Sequence, residues 1–575
     1  MKKILLCGIN ARFSHSNLAI LCLRHAAKGN ALTIEFSIND SVSSIVRGIV
    51  EKSPDAVGFS CYIWNIEHVL KAASSVKKVL PDCFIFLGGP EVSYGSLDLI
   101  QKYGFIDMII KGPGEVPFAH FAKRFISCGD IADTPSACVR TDGSMISTGA
   151  APVYDLSNTP FMYEDLSAFE NKVIYYETSR GCPFGCAYCM SANEKPSFLP
   201  MERVKAELEH FIKAYVRQVK FVDRTFNFPP GRAYDIIETL IRLSKKYPDS
   251  RTNFHLEITA SLLDADIISL LRQAKKGLIR LEAGVQSTNP QTLKAVNRCL
   301  NMPKLLGNLK TLCEMDNIHV HADLIAGLPL ESYETFKRSF NDVYALQPDA
   351  LQLGFLKVLK GSPLPAAAEK YGIVYTDYAP YEVLRTNDMT YEELSRLHTI
   401  EQTLNLLYNS RLCRNALRII IPSFASPFDF YVQFADRLES SGFLSRSQKT
   451  KTLFERLHDF SASCCEDEIL KEALLLDWLF IEKPKAWPGF LKGLAGKDTE
   501  AMRSFLSDSA NIQRYLPHYA YLSPRELSRR CTLFTFNTLF SEETALLFDY
   551  GKGRGDEGFC RAVDRKLIKS LFHSV

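Results

Sequence analysis

The chain has 575 residues, is 46% hydrophobic and 23% charged, and carries a formal net charge of +3. This is the balance of an ordinary water-soluble globular protein, with room for three or four domains of about 150 residues each. No basic run stands out, which argues against a nucleic-acid partner. No stretch of about 18 uninterrupted apolar residues occurs, which argues against a membrane span.

The chain opens on a basic start and a short apolar run over 4–7, but Asn10, Arg12 and His15 follow at once. A buried first strand fits better than a signal peptide. Sixteen cysteines in a large chain without a secretion signal argue for reduced thiols and a cytoplasmic location. Cys7, Cys22, Cys61, Cys83 and Cys313 stand singly in apolar settings and read as small buried hydrophobes.

Residues 1–145 alternate apolar runs (4–7, 32–36, 56–60, 84–87, 106–110) with helical patterns over 66–79 and 116–125. The pattern predicts an α/β domain, a Rossmann-like, doubly wound parallel sheet whose ligands bind beyond the carboxyl ends of the strands. Residues 142–170 are irregular, with Asp142-Gly143, Pro152 and Pro160, and suit a linker over 146–171 with an edge hairpin. A second alternation fills 172–365, with strands over 173–177, 219–222, 254–258, 279–281, 319–325 and 351–355. Six strands with intervening helices predict a partial (β/α)6 barrel, with its chemistry at the carboxyl ends. From 366 to 575 the alternation stops, and a mainly helical domain with a hairpin over 532–536 and 545–549 is expected.

Directly after the first barrel strand comes Glu177-Thr-Ser-Arg-Gly-Cys182-Pro-Phe-Gly-Cys186-Ala-Tyr-Cys189. Gly181, Pro183 and Gly185 let the segment curl so that three thiolates converge. Thiolates are the usual ligands of iron–sulfur clusters, and three of them leave one iron of a cubane open. Structural zinc takes four ligands, and no fourth Cys or His lies in the loop. Zinc is the distant alternative.

The Cys-x3-Cys-x2-Cys spacing, Tyr188 before the last cysteine and the Ser-Arg-Gly lead-in resemble the radical S-adenosylmethionine (SAM) superfamily. Gly284-Val285-Gln286-Ser287 and Asp323-Leu-Ile-Ala-Gly327-Leu-Pro329 resemble that family's later barrel motifs. The resemblance implies a [4Fe–4S] cluster on Cys182, Cys186 and Cys189. Its open iron would chelate SAM, and its electron would cleave SAM to methionine and a 5′-deoxyadenosyl radical. It also implies an external electron donor such as flavodoxin or ferredoxin. Tyr188, Glu257, Glu282 and Gln286 become candidate SAM-binding residues, Glu257 for a ribose hydroxyl. Asp223 and Arg224 read equally as partners of the SAM amino and carboxylate groups or as a surface ion pair.

In the first domain, Ser60, the Gly88-Gly89-Pro90-Glu91 turn and Gly112-Pro113-Gly114-Glu115 each follow a strand. Together they resemble the cobalamin-binding domain that precedes many radical SAM modules, which makes Ser60, Gly88, Gly89, Gly112, Gly114 and Glu115 candidate cobalamin contacts. The Asp-x-His-x-x-Gly motif that supplies a cobalt ligand is missing, so cobalamin would be base-off without a histidine. His15, in the first strand-to-helix loop, is a candidate for the corrin or a substrate, and Ser14 or Ser16 suits the helix cap. Cys464, Cys465, Cys531 and Cys560 lack auxiliary-cluster spacing, so one cluster is expected.

The resemblance implies a cobalamin-dependent enzyme that methylates or cyclises an unreactive carbon of a small-molecule or peptide substrate. The alternatives are an iron–sulfur or cobalamin sensing module without turnover and a tRNA-modifying radical SAM enzyme. No single residue is assigned a catalytic role.

Overall fold

The computed structural model describes residues 2–562 apart from 142–143, 193, 299, 446–448, 482, 484–485, 495–498, 542–543 and 552–559. The Asp142-Gly143 turn and the chain beyond 562 therefore lie outside the described residues.

The N-terminal strands are β1 (Ile4–Asn10), β2 (Leu32–Ser37), β3 (Ala56–Ser60), β4 (Phe84–Gly88), β5 (Met108–Ile110), β6 (Ala137–Thr141) and β7 (Ser144–Ser147), in the order β2-β1-β3-β4-β5-β6-β7. The first five run parallel. Every residue of β1 and β3 is buried, as a strand covered on both faces requires. Ile45, Ile49, Val69 and Val76 cover one face. Ile20, Phe118 and Phe121 cover the other. The sheet is not wholly parallel, because β6 and β7 add an antiparallel hairpin at its edge. That hairpin begins before the irregular stretch in which it was expected. Ala137, Cys138 and Val139 are apolar and fully buried, and they pair with β5. Strand order reverses between β1 and β3, so their carboxyl ends border the crevice where such sheets bind ligands.

The second sheet is built from β8 (Ile174–Tyr176), β11 (Gln218–Phe221), β12 (Asn253–Ile258), β13 (Ile279–Gln286), β14 (His319–Ala326) and β15 (Ala350–Phe355), which lie side by side in chain order. Between β8 and β11 a small antiparallel ribbon is formed by β9 (Ser179–Arg180) and β10 (Ser197–Phe198). Strands β13 and β14 alternate strictly between buried and half-buried residues. Ile279, Leu281, Ala283 and Val285 form the dry side of β13, while Arg280, Glu282, Gly284 and Gln286 form the other. One face of the open barrel is thus apolar core and the other is a polar wall.

Residues 1–336 and 354–391 form one compact unit, which holds the N-terminal sheet and the cysteine loop. The segment after β15 adds the two-stranded ribbon β16 (Val374–Tyr375) and β17 (Val383–Arg385) to this unit. Residues 337–353 and 392–575 make up the second unit. It is mainly helical, with an antiparallel sheet of β18 (Cys531–Phe536), β19 (Thr544–Asp549) and β20 (Cys560–Ala562). Phe340, Tyr344, Phe428 and Tyr431 pack edge to face in its core. Buried Asp477 accepts the amides of Asn415 and Ala416 at 3.0 and 2.8 Å, which caps the helix Arg414–Ile420. No helix among the described residues is long and apolar enough to cross a membrane.

Candidate cofactor site

The cysteine loop leaves the barrel through the β9–β10 ribbon, in which Arg180 pairs with Ser197 and Ser179 with Phe198. The next residue, Gly181, has φ +93°, and a Cβ there would lie 2.8 Å from the Lys195 carbonyl. Only glycine makes that turn without strain. The Cys182 amide then donates to Glu194 O at 3.0 Å, closing the neck a second time. Below the neck, Thr178 donates both its amide and its hydroxyl to the Asp223 carboxylate. Asp223 is neither a surface ion pair nor an open ligand. It is 2% exposed, its two oxygens are engaged by Thr178, and burial raises its pKa to about 6. Arg224 beside it is exposed.

Cys182 and Cys186 are buried, Cys189 is half-buried, and none is in a disulfide. Burial pushes the Cys189 thiol up, against the Ser191 amide and the Arg224 charge, which favour the thiolate. A segment far along the chain supports the loop. Val296 O accepts the Ala187 amide at 2.9 Å, and Asn297 donates to Gly185 O at 2.9 Å. Arg298 donates to Gly284 O at 2.6 Å and to Cys186 Sγ at 3.5 Å. Half-buried Tyr188, with its hydroxyl buried, stands close to Arg298 and Cys186, and burial raises its hydroxyl pKa. Sequence reasoning missed Arg298, because nothing local marks an arginine whose partners lie on another strand.

Gly284 is the centre of the next layer. A Cβ on it would meet Gln286 Nε2 at 2.2 Å and Arg298 at 3.4 Å, and Asp323 is its neighbour on β14. Gln286 ends the strand at a bulge with φ +70°. Gln286 Oε1 and Arg298 Nε are buried without a hydrogen-bond partner in the chain, and buried Asp323 Oδ1 has His321 Nε2 at 3.4 Å. Burial, with the Glu282 and Glu257 charges, raises the Asp323 carboxyl well above the usual range. Buried polar groups are rarely left unpaired, so an acceptor on Gln286 and a donor on Arg298 beside one glycine mark the place of a polar ligand. Deeper on the same wall, Glu282 takes His255 Nε2 at 2.7 Å and Lys220 Nζ at 3.2 Å. Burial would push Glu282 up, but these partners and His321 outweigh it and hold the carboxyl at about 2. Glu257 pairs with Lys220 at 3.5 Å and is raised by burial.

The donor set suits the group that the sequence implies. Among the described residues no three His, Cys, Asp or Glu side chains are grouped to hold a single metal ion. A cubane asks for something else, one thiolate for each of three irons, with polar side chains beside the fourth. The loop would supply the thiolates, and the layer around Gly284 holds unpaired polar atoms on Gln286 and Arg298.

At the N-terminal crevice, Ser60 is buried and accepts Asn17 Nδ2 at 3.0 Å. Asn65 donates to Ile9 O and Ser60 O, both at 2.9 Å, and so pins the ends of β1 and β3. Beyond Ser60, Tyr62 and Trp64 stack at 4.4 Å with Trp64 exposed, a flat apolar platform that the sequence reading did not single out. Gly89 has φ +112°, and a Cβ there would strike Cys61 O at 2.6 Å. Ser93 joins the two glycine loops, donating to Gly89 O at 2.8 Å and accepting the Gly112 amide at 2.9 Å. Gly88 and Gly112 have room for a Cβ, while one on Gly114 would press on Leu23. Glu115 opens the helix Glu115–Ile126 and is buried, with Arg180 on its carboxylate at 2.8 Å. The cap of the first helix is Asn17, not Ser14 or Ser16. Ser16 instead donates to Val173 O at 2.9 Å, at the foot of β8. His15 rests edge-on against Tyr175, and burial, then the Arg12 and Lys220 charges, lower its pKa.

Comparison with known proteins assigns these regions. Residues 5–122 match the B12 binding domain, 176–343 match the radical SAM superfamily, and 369–547 match a protein family of unknown function, DUF4080. The chain carries a B12-binding domain, a radical SAM domain and a DUF4080 domain. Among curated relatives it is 27% identical to the cobalamin-dependent radical SAM methyltransferase TokK of Streptomyces tokunonensis, over 58% of this chain and 51% of that protein. It is also 27% identical to 2-(S-pantetheinyl)-carbapenam-3-carboxylate methyltransferase of Streptantibioticus cattleyicolor, over 52% of this chain and 46% of that one. The chain spans about half the length of these two relatives. In fold it resembles the cobalamin-dependent SAM radical enzyme OxsB, with a TM-score of 0.58 at 13% identity over 90% of this chain and 84% of that one. TsrM of Kitasatospora setae gives a TM-score of 0.55 at 17% identity over 66% and 76%.

Proposed function

We propose that this protein is a cobalamin-dependent radical SAM methyltransferase, with a [4Fe–4S] cluster held by Cys182, Cys186 and Cys189 and SAM seated against Gly284. The observation that carries the reading is the two unpaired buried atoms on Gln286 and Arg298 beside three free thiols. The names of the relatives support methyl transfer as the reaction. When bound, the cluster would supply the electron that splits SAM, and cobalamin would supply the methyl carrier.

The chain's own residues do the rest. The three cysteines bind, and the ribbon at Arg180 and the Asp223–Thr178 clamp hold them in register. Arg298 offers an N–H donor to a carboxylate. Gln286 offers an acceptor to a hydroxyl or amino group. Lys220, His255 and Glu282 satisfy one another, so the lower wall stays polar without demanding a ligand. The Tyr62–Trp64 platform and the turn at Gly89 offer a flat face and a close backbone approach to a large ring.

The test is anaerobic reconstitution, with iron, sulfide and corrin analysis and a visible spectrum. One cluster and one cobalamin per chain are expected, with a changed cluster EPR signal on adding SAM and 5′-deoxyadenosine after reduction. A fully loaded cluster that ignores SAM would turn the reading to a sensing module.

A further inference from the structure

The glutamates of the two glycine loops, Glu91 and Glu115, are both engaged by other side chains of the chain. Glu115 is 6% exposed, and its carboxylate accepts Arg180 Nη2 at 2.8 Å. The same guanidinium takes both oxygens of Glu177, at 3.0 and 2.8 Å, and lies 5.7 Å over the Tyr154 ring. Arg180 is also a ribbon residue, directly before Gly181 and Cys182. One side chain therefore ties Glu115, at the end of the Gly112–Glu115 stretch, to the root of the cysteine loop. Glu91, after Gly88-Gly89, is tied in the same manner: it accepts Lys360 Nζ at 3.0 Å and the Tyr381 hydroxyl. Nearby, Gly361 packs so closely on the Tyr94 ring that a Cβ would overlap it at 2.1 Å. Both ties lie within one compact unit.

We propose that Arg180 is a positioning residue that fixes the gap between the glycine-loop edge of the N-terminal sheet and the cysteine loop, and thereby selects between the two fates of SAM. This rests on the function proposed above. In one fate the sulfonium methyl leaves as CH3+ to reduced cobalamin: the S–CH3 bond breaks, a Co–C bond forms and S-adenosylhomocysteine is released. In the other, one electron from the reductant would break the S–C5′ bond and give methionine and a 5′-deoxyadenosyl radical, which becomes 5′-deoxyadenosine by taking a hydrogen atom from a C–H bond of the substrate or, in its absence, of the buffer or reductant. The first needs the sulfonium within reach of the N-terminal sheet, and the second needs it only at the cysteine loop. A latch between the two edges therefore bears on the ratio of the products. A guanidinium suits the task, since its planar fork takes both oxygens of Glu177 through two nitrogens while reaching Glu115, whereas an ammonium has a single nitrogen.

The test uses the full chain and the variants Glu115→Gln, Arg180→Lys and Arg180→Gln. Hydrogen–deuterium exchange on the protein as purified comes first, with faster exchange expected at amides 112–116 and 178–182 in each variant. Unchanged exchange overturns the latch whatever the cofactors do. Next, each reconstituted protein is given cobalamin, SAM and titanium(III) citrate, and both products are counted. S-adenosylhomocysteine per 5′-deoxyadenosine should fall on the order of tenfold to a hundredfold in the Gln variants, the scale of an ångström's misplacement, with cluster and corrin content kept. Arg180→Lys should lie between. An unchanged ratio at full loading overturns the positioning role, and so does a parallel loss of both cofactors. A wild-type protein that makes neither product defeats the proposed function instead, and the exchange data still decide the latch.

Discussion

The guanidinium of Arg298 lies 3.5 Å from the sulfur of Cys186, although the two are 112 residues apart in sequence. The same group holds Gly284 O and keeps a buried, unused Nε. Replacing Arg298 with alanine should weaken SAM binding on the order of tenfold to a hundredfold, the worth of a charge-assisted hydrogen bond. Iron content should change little, because the three thiolates remain. Titration of the cluster EPR signal with SAM reads the first effect and iron analysis the second.

Gly181→Ala tests the neck of the loop. The alanine methyl would press on the Lys195 carbonyl in a backbone conformation that side chains rarely adopt. Cluster loading should fall severalfold while cobalamin binding by the N-terminal sheet is kept, which iron and corrin analysis of one sample would show.

Alanine at Cys182, Cys186 or Cys189 should abolish the cluster's visible absorption. Alanine at Cys464 or Cys531 should not. Cys464 lies 3.8 Å from Cys465 in the second unit, and Cys531 is buried at the start of β18. Loss of the cluster on changing either would overturn the assignment of ligands.

Burial pushes the His321 imidazole down to about 4 in the fold, against its ordinary 6.5. Below the ordinary value the unfolded chain takes a proton that the folded chain refuses. Stability is therefore lost as pH falls from about 6.5 towards 4, by about 2 kcal/mol between pH 7 and pH 5 from this residue. Glu282, held at about 2, contributes in the same direction but only below the ordinary carboxylate range. Urea midpoints of the cofactor-free protein at the two pH values should thus converge in His321→Gln. An equal acid loss in both proteins would show that His321 is not the group responsible.

The frame of the molecule was legible because its strands are written in local pattern. The run over 56–60 and the helical period over 66–79 coincide with β3 and the helix Ile66–Val79. The cysteine spacing is local too. Contacts that cross the fold were not legible. Asp223 sits beside Arg224 in sequence, which invites an ion pair, yet its partner Thr178 is 45 residues away and buried. Lys220, His255 and Glu282 meet only because β11, β12 and β13 are neighbours in register. The first helix takes Asn17 as its cap because Ser16 is drawn to the Val173 carbonyl across the unit. The glutamate of the second glycine loop reads as a ligand contact in one dimension, and in three it is spent on Arg180.

The β9–β10 ribbon has a consequence for the order of assembly. A loop whose two ends are already hydrogen-bonded has lost its end-to-end freedom before any metal arrives. For a loop of this length that freedom is worth roughly 2–3 kcal/mol, scaling as (3/2)RT ln n. The fold meets this closure cost when it forms the ribbon, so a cluster would not have to bring the two ends of the loop together. On the proposed function, a scaffold that donates a preassembled cluster would then meet a loop already closed at its neck.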